Sequence, residues 1–168
     1  MREKLIDCWN RIKPYILPYS VAIAIPLTVG IASAALTKDS MDIYSELNTP
    51  PLAPPGAIFP ILWTVLFILM GISSAMVYVD RERTSDVAKK GLTYYAISLA
   101  LNFAWSIVFF NFQAAFFALL VLIALLYTVI RTILEYRKLK PLAAYLQIPY
   151  MLWILFAGYL NAGIWLLN

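Results

Sequence analysis

The sequence predicts an all-α integral membrane protein, a single bundle of five transmembrane helices over residues 1–168 with the N-terminus cytoplasmic and the C-terminus outside. Three observations predict it. Of 168 residues, 62% are hydrophobic and 13% charged, with a mean hydropathy of +0.78. A soluble domain carries roughly 45–50% apolar and about 25% charged residues, so these few charges could not cover a surface in water. Five apolar stretches, 15–36, 57–79, 92–112, 114–133 and 142–167, each approach or exceed the roughly 20 residues a helix needs to cross a bilayer. Twelve of the thirteen basic residues fall in alternate connections, a pattern that needs an odd number of spans.

The first stretch follows Arg2, Lys4, Arg11 and Lys13, which hold its start in the cytoplasm. A basic start, an apolar run and Ala32-Ser33-Ala34 also resemble a secretory leader. The run is longer than the usual 7–15 residues, and its removal would leave an even span count, so it reads as a retained helix. The outer connection 37–56 is the longest and ends in Pro50-Pro51-Leu52-Ala53-Pro54-Pro55-Gly56. Clustered prolines favour a stiff extended path, either as a lid across the bundle mouth or as a surface linker. The second and third stretches are separated by residues 80–90, with Arg81, Arg83, Lys89 and Lys90. Only Asn111-Phe112-Gln113 divides the third from the fourth, which calls for a tight hairpin, since one span of that combined length is physically implausible. The fourth ends at Arg131, placed to snorkel and to pair with Glu135 one turn on, before Arg137, Lys138 and Lys140. Pro60 and Pro141 stand where helices begin. Pro26 and Pro149 lie within spans, and a kink at Pro149 would open room beside the Trp153 indole.

The same composition excludes several chemistries. The chain has no histidine, which removes His-based acid–base catalysis, His-ligated haem and His-containing zinc sites. The single Cys8 forms neither an internal disulfide nor a cysteine metal cluster. No metal site and no required cofactor are expected. The net charge of +4 is a topology signal, so no nucleic-acid partner is expected. No Asp, Glu, Lys or Arg lies deep within a proposed span, which argues against ion-coupled transport and leaves passive carriage open. No repeat suggests an inverted-repeat transporter.

Aromatic and neutral polar residues fill the spans instead. At about 100° per residue, Trp63, Phe67, Met70 and Ser74 share one arc of the second helix. On the third, Ser98, Asn102, Trp105 and Phe109 group together, opposite Ala96, Ala100 and Ala104. That alanine stripe suits close approach of another helix, as at a homodimer seam. On the fifth, Pro149, Trp153, Ala157, Leu160 and Ile164 share an arc with Tyr150 and Asn161 at its edge. From the residues alone, Trp63 and Trp153 serve either packing or a ligand, and Asn102 and Asn161 either interhelical hydrogen bonds or a pocket. Trp9 and Trp165 read as interfacial anchors.

Leu101-Asn102-Phe103-Ala104-Trp105 with Phe109-Phe110, Trp63-x-x-Leu66-x-x-x-Met70-Gly71, and Pro149-Tyr150-x-x-Trp153-x-x-Phe156-Ala157-x-x-Leu160-Asn161 occur in that helical context, with Pro54-Pro55 in the first loop. Together they resemble the third-, second- and fifth-helix signatures and the loop diproline of the TspO/MBR family of tryptophan-rich sensory and translocator proteins. The resemblance covers roughly residues 19–168.

This resemblance implies a bacterial-type member in a plasma membrane. It implies a five-helix bundle, usually dimeric, that binds protoporphyrin IX or related tetrapyrroles in a pocket under the first loop. Synthetic isoquinoline and benzodiazepine-type ligands are also family ligands, as is cholesterol in animal members. By motif position Trp63 and Trp153 match the two tryptophans implicated in light- and oxygen-dependent porphyrin degradation, with Phe67, Asn102, Trp105, Tyr150, Ala157 and Asn161 shaping the pocket. An excited porphyrin stacked on an indole can oxidise it, with no acid, base or metal required. The rival readings are a passive carrier of porphyrins or other amphipathic molecules, and a stress sensor acting through a protein partner. Two departures stand out. Leu52 occupies the position where the family commonly has a loop tryptophan, and Ala162 and Leu166 replace the Tyr and basic residue of the animal cholesterol motif. Leu134-Glu135-Tyr136-Arg137-Lys138 fits only the loose cholesterol pattern.

Overall fold

The computed structural model describes residues 2–40, 46–83 and 85–168, with side chains described except at 2–12, 39, 83 and 85. Trp9, Arg2, Lys4, Arg11, Asp39, Asp42 and Arg83 therefore have side chains outside the described residues. Five long helices form the fold: α1 (Arg2–Thr37), α2 (Ile58–Val79), α3 (Ser85–Ser106), α4 (Ala115–Leu139) and α5 (Pro141–Leu167). Each is long and apolar enough to cross a membrane.

Helix ends differ from the apolar limits because hydropathy marks the bilayer, whereas a helix continues into water. Helix α3 starts at Ser85, ahead of its apolar stretch, and α4 runs past Ile133 to Leu139. The extension of α4 is held by charge: Lys138 Nζ donates to both Glu135 carboxylate oxygens at 2.8 Å, and Arg131 lies 3.8 Å away on the other side. Lys140 pairs with Asp80 at 3.0 Å, tying the cytoplasmic ends of α5 and α2. At the opposite end, α3 widens into a π-helical turn over Ile107–Asn111, in which the Phe112 N–H donates to the Ile107 carbonyl. Gln113 then takes φ 52°, the left-handed geometry that reverses the chain within the short connection.

Packing follows a ring in which α1 lies on α2, α2 on α5, α5 on α4 and α4 on α3, while α1 and α3 touch only lightly. The α1–α2 seam depends on backbone contact. Pro26 has no N–H, so it leaves the Ala22 carbonyl without its helical partner, and α2 presents Gly71 there. A Cβ at Gly71 would sit 2.5 Å from Ile23 Cα and 2.9 Å from the Ala22 oxygen. The cytoplasmic half of the interior is filled by Met70, Ser73, Val77 and Gln147. Ser73 and Gln147 are paired there, with Ser73 Oγ donating to the Ala143 carbonyl at 2.7 Å and Gln147 Nε2 to Ser73 Oγ at 3.1 Å.

The α3 faces follow the expected division. Ser98, Asn102, Trp105 and Phe109 are buried, whereas Ala96 and Ala100 are exposed and Ala104 is half-buried. On α5 the buried arc is rotated from the expected one. Tyr150, Trp153, Ile154, Ala157, Leu160, Asn161 and Ile164 turn inward, and Pro149 is exposed. Helix α5 is continuous across that proline. The outer loop is fastened to α5. The Tyr159 hydroxyl donates to the Pro51 carbonyl at 2.8 Å, and Asn48 and Asn168 exchange hydrogen bonds of 3.0 Å. Gly163 lets Pro50 lie directly on the helix, since a Cβ there would meet the proline ring at 2.6 Å. Leu52 takes φ 69° and is 84% exposed, pointing away from the bundle.

Candidate functional site

The outer half of the bundle contains a cavity of about 280 Å³, bounded by α1, α2, α3 and α5. Its size falls just below the roughly 300–1,000 Å³ of small-molecule pockets. Among the described residues its walls carry no charged side chain. Trp63 and Phe67 come from α2, Trp105, Phe109 and Phe110 from α3 and its π turn, and Ala157, Leu160 and Ile164 from α5. The π turn is a local widening of a kind found often at functional sites, and here it delivers both Phe109 and Phe110 to the wall.

The aromatic rings form a continuous set. Trp63 lies 5.4 Å from Phe67 and 6.4 Å from Trp105, and Trp105 stacks on Phe109 at 5.5 Å. Polar side chains fix their orientation. Trp105 Nε1 donates to Asn161 Oδ1 at 3.1 Å, and Asn161 Nδ2 donates to the Ala115 carbonyl at 2.7 Å. One end of the Asn102 amide is held by Tyr150, with Nδ2 donating to the phenol oxygen at 3.2 Å. The Asn102 side chain, held in this way, borders the cavity.

Of the residues singled out by sequence, Trp63, Phe67, Asn102, Trp105, Ala157 and Asn161 border the cavity together. Tyr150 and Trp153 stand in the layer behind. Their rings lie 6.1 and 6.2 Å from Trp63, both edge-on to it. Trp153 packs against Phe59, Trp63 and Phe156, and of these Phe59 and Trp63 border the cavity. Sequence reasoning missed α1, which supplies Leu27, Gly30, Ile31, Ser33, Ala34 and Thr37. The available signal was the small-residue run Ala32-Ser33-Ala34, which suits a wall close to a ligand as well as it suits a leader. Of the proline-rich segment, only Gly56 reaches the cavity. Trp165, 45% exposed at the outer end of α5 and 5.1 Å from Phe116, fits an interfacial position.

Replacing Asn161 by leucine is expected to leave the Trp105 indole N–H without its acceptor. The cost should be about 1–3 kcal/mol, as for a buried donor stripped of its partner. The thermal midpoint in detergent should fall, and an unchanged midpoint would show that the pair contributes nothing to stability.

Fold and site define an integral membrane protein, a five-helix bundle with a tryptophan-walled, largely apolar cavity at one end. The chain belongs to the TspO/MBR family, whose pattern matches residues 22–166. It is 35% identical over 154 residues to the tryptophan-rich protein TspO of Chlorobaculum tepidum, covering 91% of this chain and 97% of that one. It is 36% identical over 155 residues to TspO of Archaeoglobus fulgidus, covering 91% and 98%. With the translocator protein of Bos taurus it shares 33% over 142 residues, 84% of each chain. Family membership supports a tetrapyrrole-associated role in the membrane, and the bacterial relatives fit an integral protein of a bacterial plasma membrane.

Proposed function

We propose that the chain binds tetrapyrroles, protoporphyrin IX foremost, in the outer cavity, and that the bound ring is slowly degraded in light and oxygen at the pocket indoles. The observation that carries this reading is the wall itself: stacked indole and phenyl rings, with Asn102 beside them and no charged side chain among the described residues. A flat π system gains dispersion and stacking on such rings. A macrocycle wider than the cavity enters edge-on, which leaves its carboxylates at the outer interface, where their desolvation is avoided. Ile31, 69% exposed though it borders the cavity, marks one open edge.

The filled cytoplasmic half favours a binding site over a carrier, because a passage would have to part Met70 and the Ser73–Gln147 pair. A second copy of the chain would pack against the stripe of exposed Ala96 and Ala100 and half-buried Ala104. The test is a dark titration of purified protein with protoporphyrin IX, following tryptophan fluorescence. Saturable quenching is the expected result, and quenching that rises linearly without saturation would remove the reading. Flux through proteoliposomes tests the carrier, with none expected above the protein-free rate.

A further inference from the structure

The cytoplasmic half of the α3–α4 seam is drawn tight at Gly91. A Cβ there would lie 2.8 Å from the Tyr136 ring and 3.3 Å from Glu135 Cβ, so the helices meet closely at this level. One turn nearer the bilayer centre, Tyr94 of α3 and Arg131 of α4 meet across the seam, with the guanidinium carbon 5.0 Å from the Tyr94 ring centre. Arg131 Nη1 donates to the Tyr127 hydroxyl at 3.3 Å, a further turn inward along α4. The guanidinium is tethered by these two phenols rather than extended toward water. Counted along α4, Arg131 stands about 12 Å from the cytoplasmic end at Leu139. Ile130 and Leu134 are exposed beside it, so apolar surface continues past the guanidinium toward the cytoplasm. The Arg131 side chain is 38% exposed, on a face that a bilayer covers with lipid.

Charge is unbalanced at this point. Glu135, whose side chain is 6% exposed, pairs with two cations. Lys138 Nζ takes both of its oxygens at 2.8 Å, which leaves Arg131 at 3.8 Å, an ion pair without a hydrogen bond. Of the five guanidinium N–H groups, one is engaged in a hydrogen bond among the described residues. Lys90 extends the basic surface one turn below Tyr94 on the same face of α3, with Asp86 a turn further out. Arginine stays charged in any protein setting, so a lipid-facing guanidinium with free donors requires a second anion or water.

We propose that Arg131, Tyr94 and Tyr127 form a binding site for the headgroup of an anionic phospholipid of the cytoplasmic leaflet. The phosphodiester accepts hydrogen bonds from the free edge of the guanidinium, whose planar fork matches two phosphate oxygens. The Tyr94 ring supports the plane of that fork, and Tyr127 fixes the edge that stays with the protein. An acyl chain then runs along Tyr127, Ile123 and Leu120, which lie exposed in a row toward the bilayer centre. The surroundings choose among lipids. A zwitterionic headgroup would bring its own cation beside Lys138 and Lys90, whereas a glycerol headgroup brings only hydroxyls. Basic pockets between helices on the cytoplasmic side suit anionic headgroups for this reason.

The test offers the whole chain in detergent an equimolar mixture of phosphatidylglycerol and phosphatidylcholine, and native mass spectrometry reads the first lipid adduct. Ammonium acetate at about 1 M shortens the screening length to roughly 3 Å, which removes diffuse attraction and leaves direct contacts. Wild type should take phosphatidylglycerol about fivefold over phosphatidylcholine, the effect of one basic residue on an anionic lipid. Arg131→Gln should bring that ratio near one. Arg137→Gln removes an equal charge from an exposed position on another face of α4 and should leave the ratio unchanged. Arg131→Lys keeps the charge, loses the planar fork and should lose at least half of the preference. Retained helical circular dichroism confirms the folding of each variant. No preference in wild type, an unchanged ratio in Arg131→Gln, or equal losses at 131 and 137 would overturn the site. Full preference in Arg131→Lys would overturn it too, because charge alone would then attract the lipid. A short glutamate peptide should not displace the phosphatidylglycerol adduct; displacement would assign the cluster to an acidic protein instead.

Discussion

Gly71→Val should separate α1 from α2 and lower stability by roughly 3 kcal/mol, the upper end of overpacking costs. The reason lies in what the new side chain would meet. Its first carbon alone would fall 2.5 Å from Ile23 Cα and 2.9 Å from the Ala22 carbonyl oxygen, and neither backbone atom can swing aside as a side-chain tip could. Pro26 makes the position more demanding, because the Ala22 carbonyl that has lost its helical donor is the one a side chain at 71 would crowd. The cavity should be damaged too, since α1 and α2 form two of its walls. Thermal unfolding in detergent reads the first effect and protoporphyrin titration the second. A variant with the wild-type midpoint would mean that the seam yields easily and that the tight approach is incidental.

Trp63→Leu should weaken protoporphyrin binding at least tenfold, about 1.4 kcal/mol, whereas Trp153→Phe should leave affinity nearly unchanged. Both positions belong to the family signature and look equivalent in sequence. They are not equivalent in space: Trp63 borders the cavity and meets Phe67, Trp105, Tyr150 and Trp153, while Trp153 supports it edge-on from behind. Loss of Trp63 removes the stacking face itself, whereas phenylalanine at Trp153 preserves an apolar ring at that contact. Equal losses in the two variants would place the ligand elsewhere than against Trp63.

That contrast shows how far the sequence could be read. The span count, the two faces of α3 and the inward α2 arc were legible because each rests on a periodic contrast between residue types. Helix α1 gave no such contrast. It is apolar nearly all round, and its part in the cavity arises from small residues at 30, 33 and 34 whose use depends on what stands opposite. The division between Trp63 and Trp153 was illegible for a related reason. Periodicity reports the direction a side chain takes, not how many layers separate it from the open space. On α5 a modest rotation put Pro149 outside and Tyr150 inside. An arc drawn at a fixed angle per residue could not fix that rotation, because the packing against α2 and α4 decides it. The π turn over Ile107–Asn111 was equally hidden, since its extra residue is a feature of hydrogen bonding that leaves the hydrophobic pattern intact.

The one-sided position of the cavity bears on how the site responds to an energised membrane. A unit charge moved through the full transmembrane voltage changes energy by about 2.3 kcal/mol per 100 mV. In the proposed binding mode an anionic ligand held edge-on in the outer half, its carboxylates still at the interface, would traverse little of that drop. With no ionisable side chain in the cavity wall among the described residues, these residues contribute no gating charge there either. Polarising or depolarising the cell would then leave occupancy nearly constant, and the site would report how much ligand the outer leaflet holds while remaining almost blind to voltage.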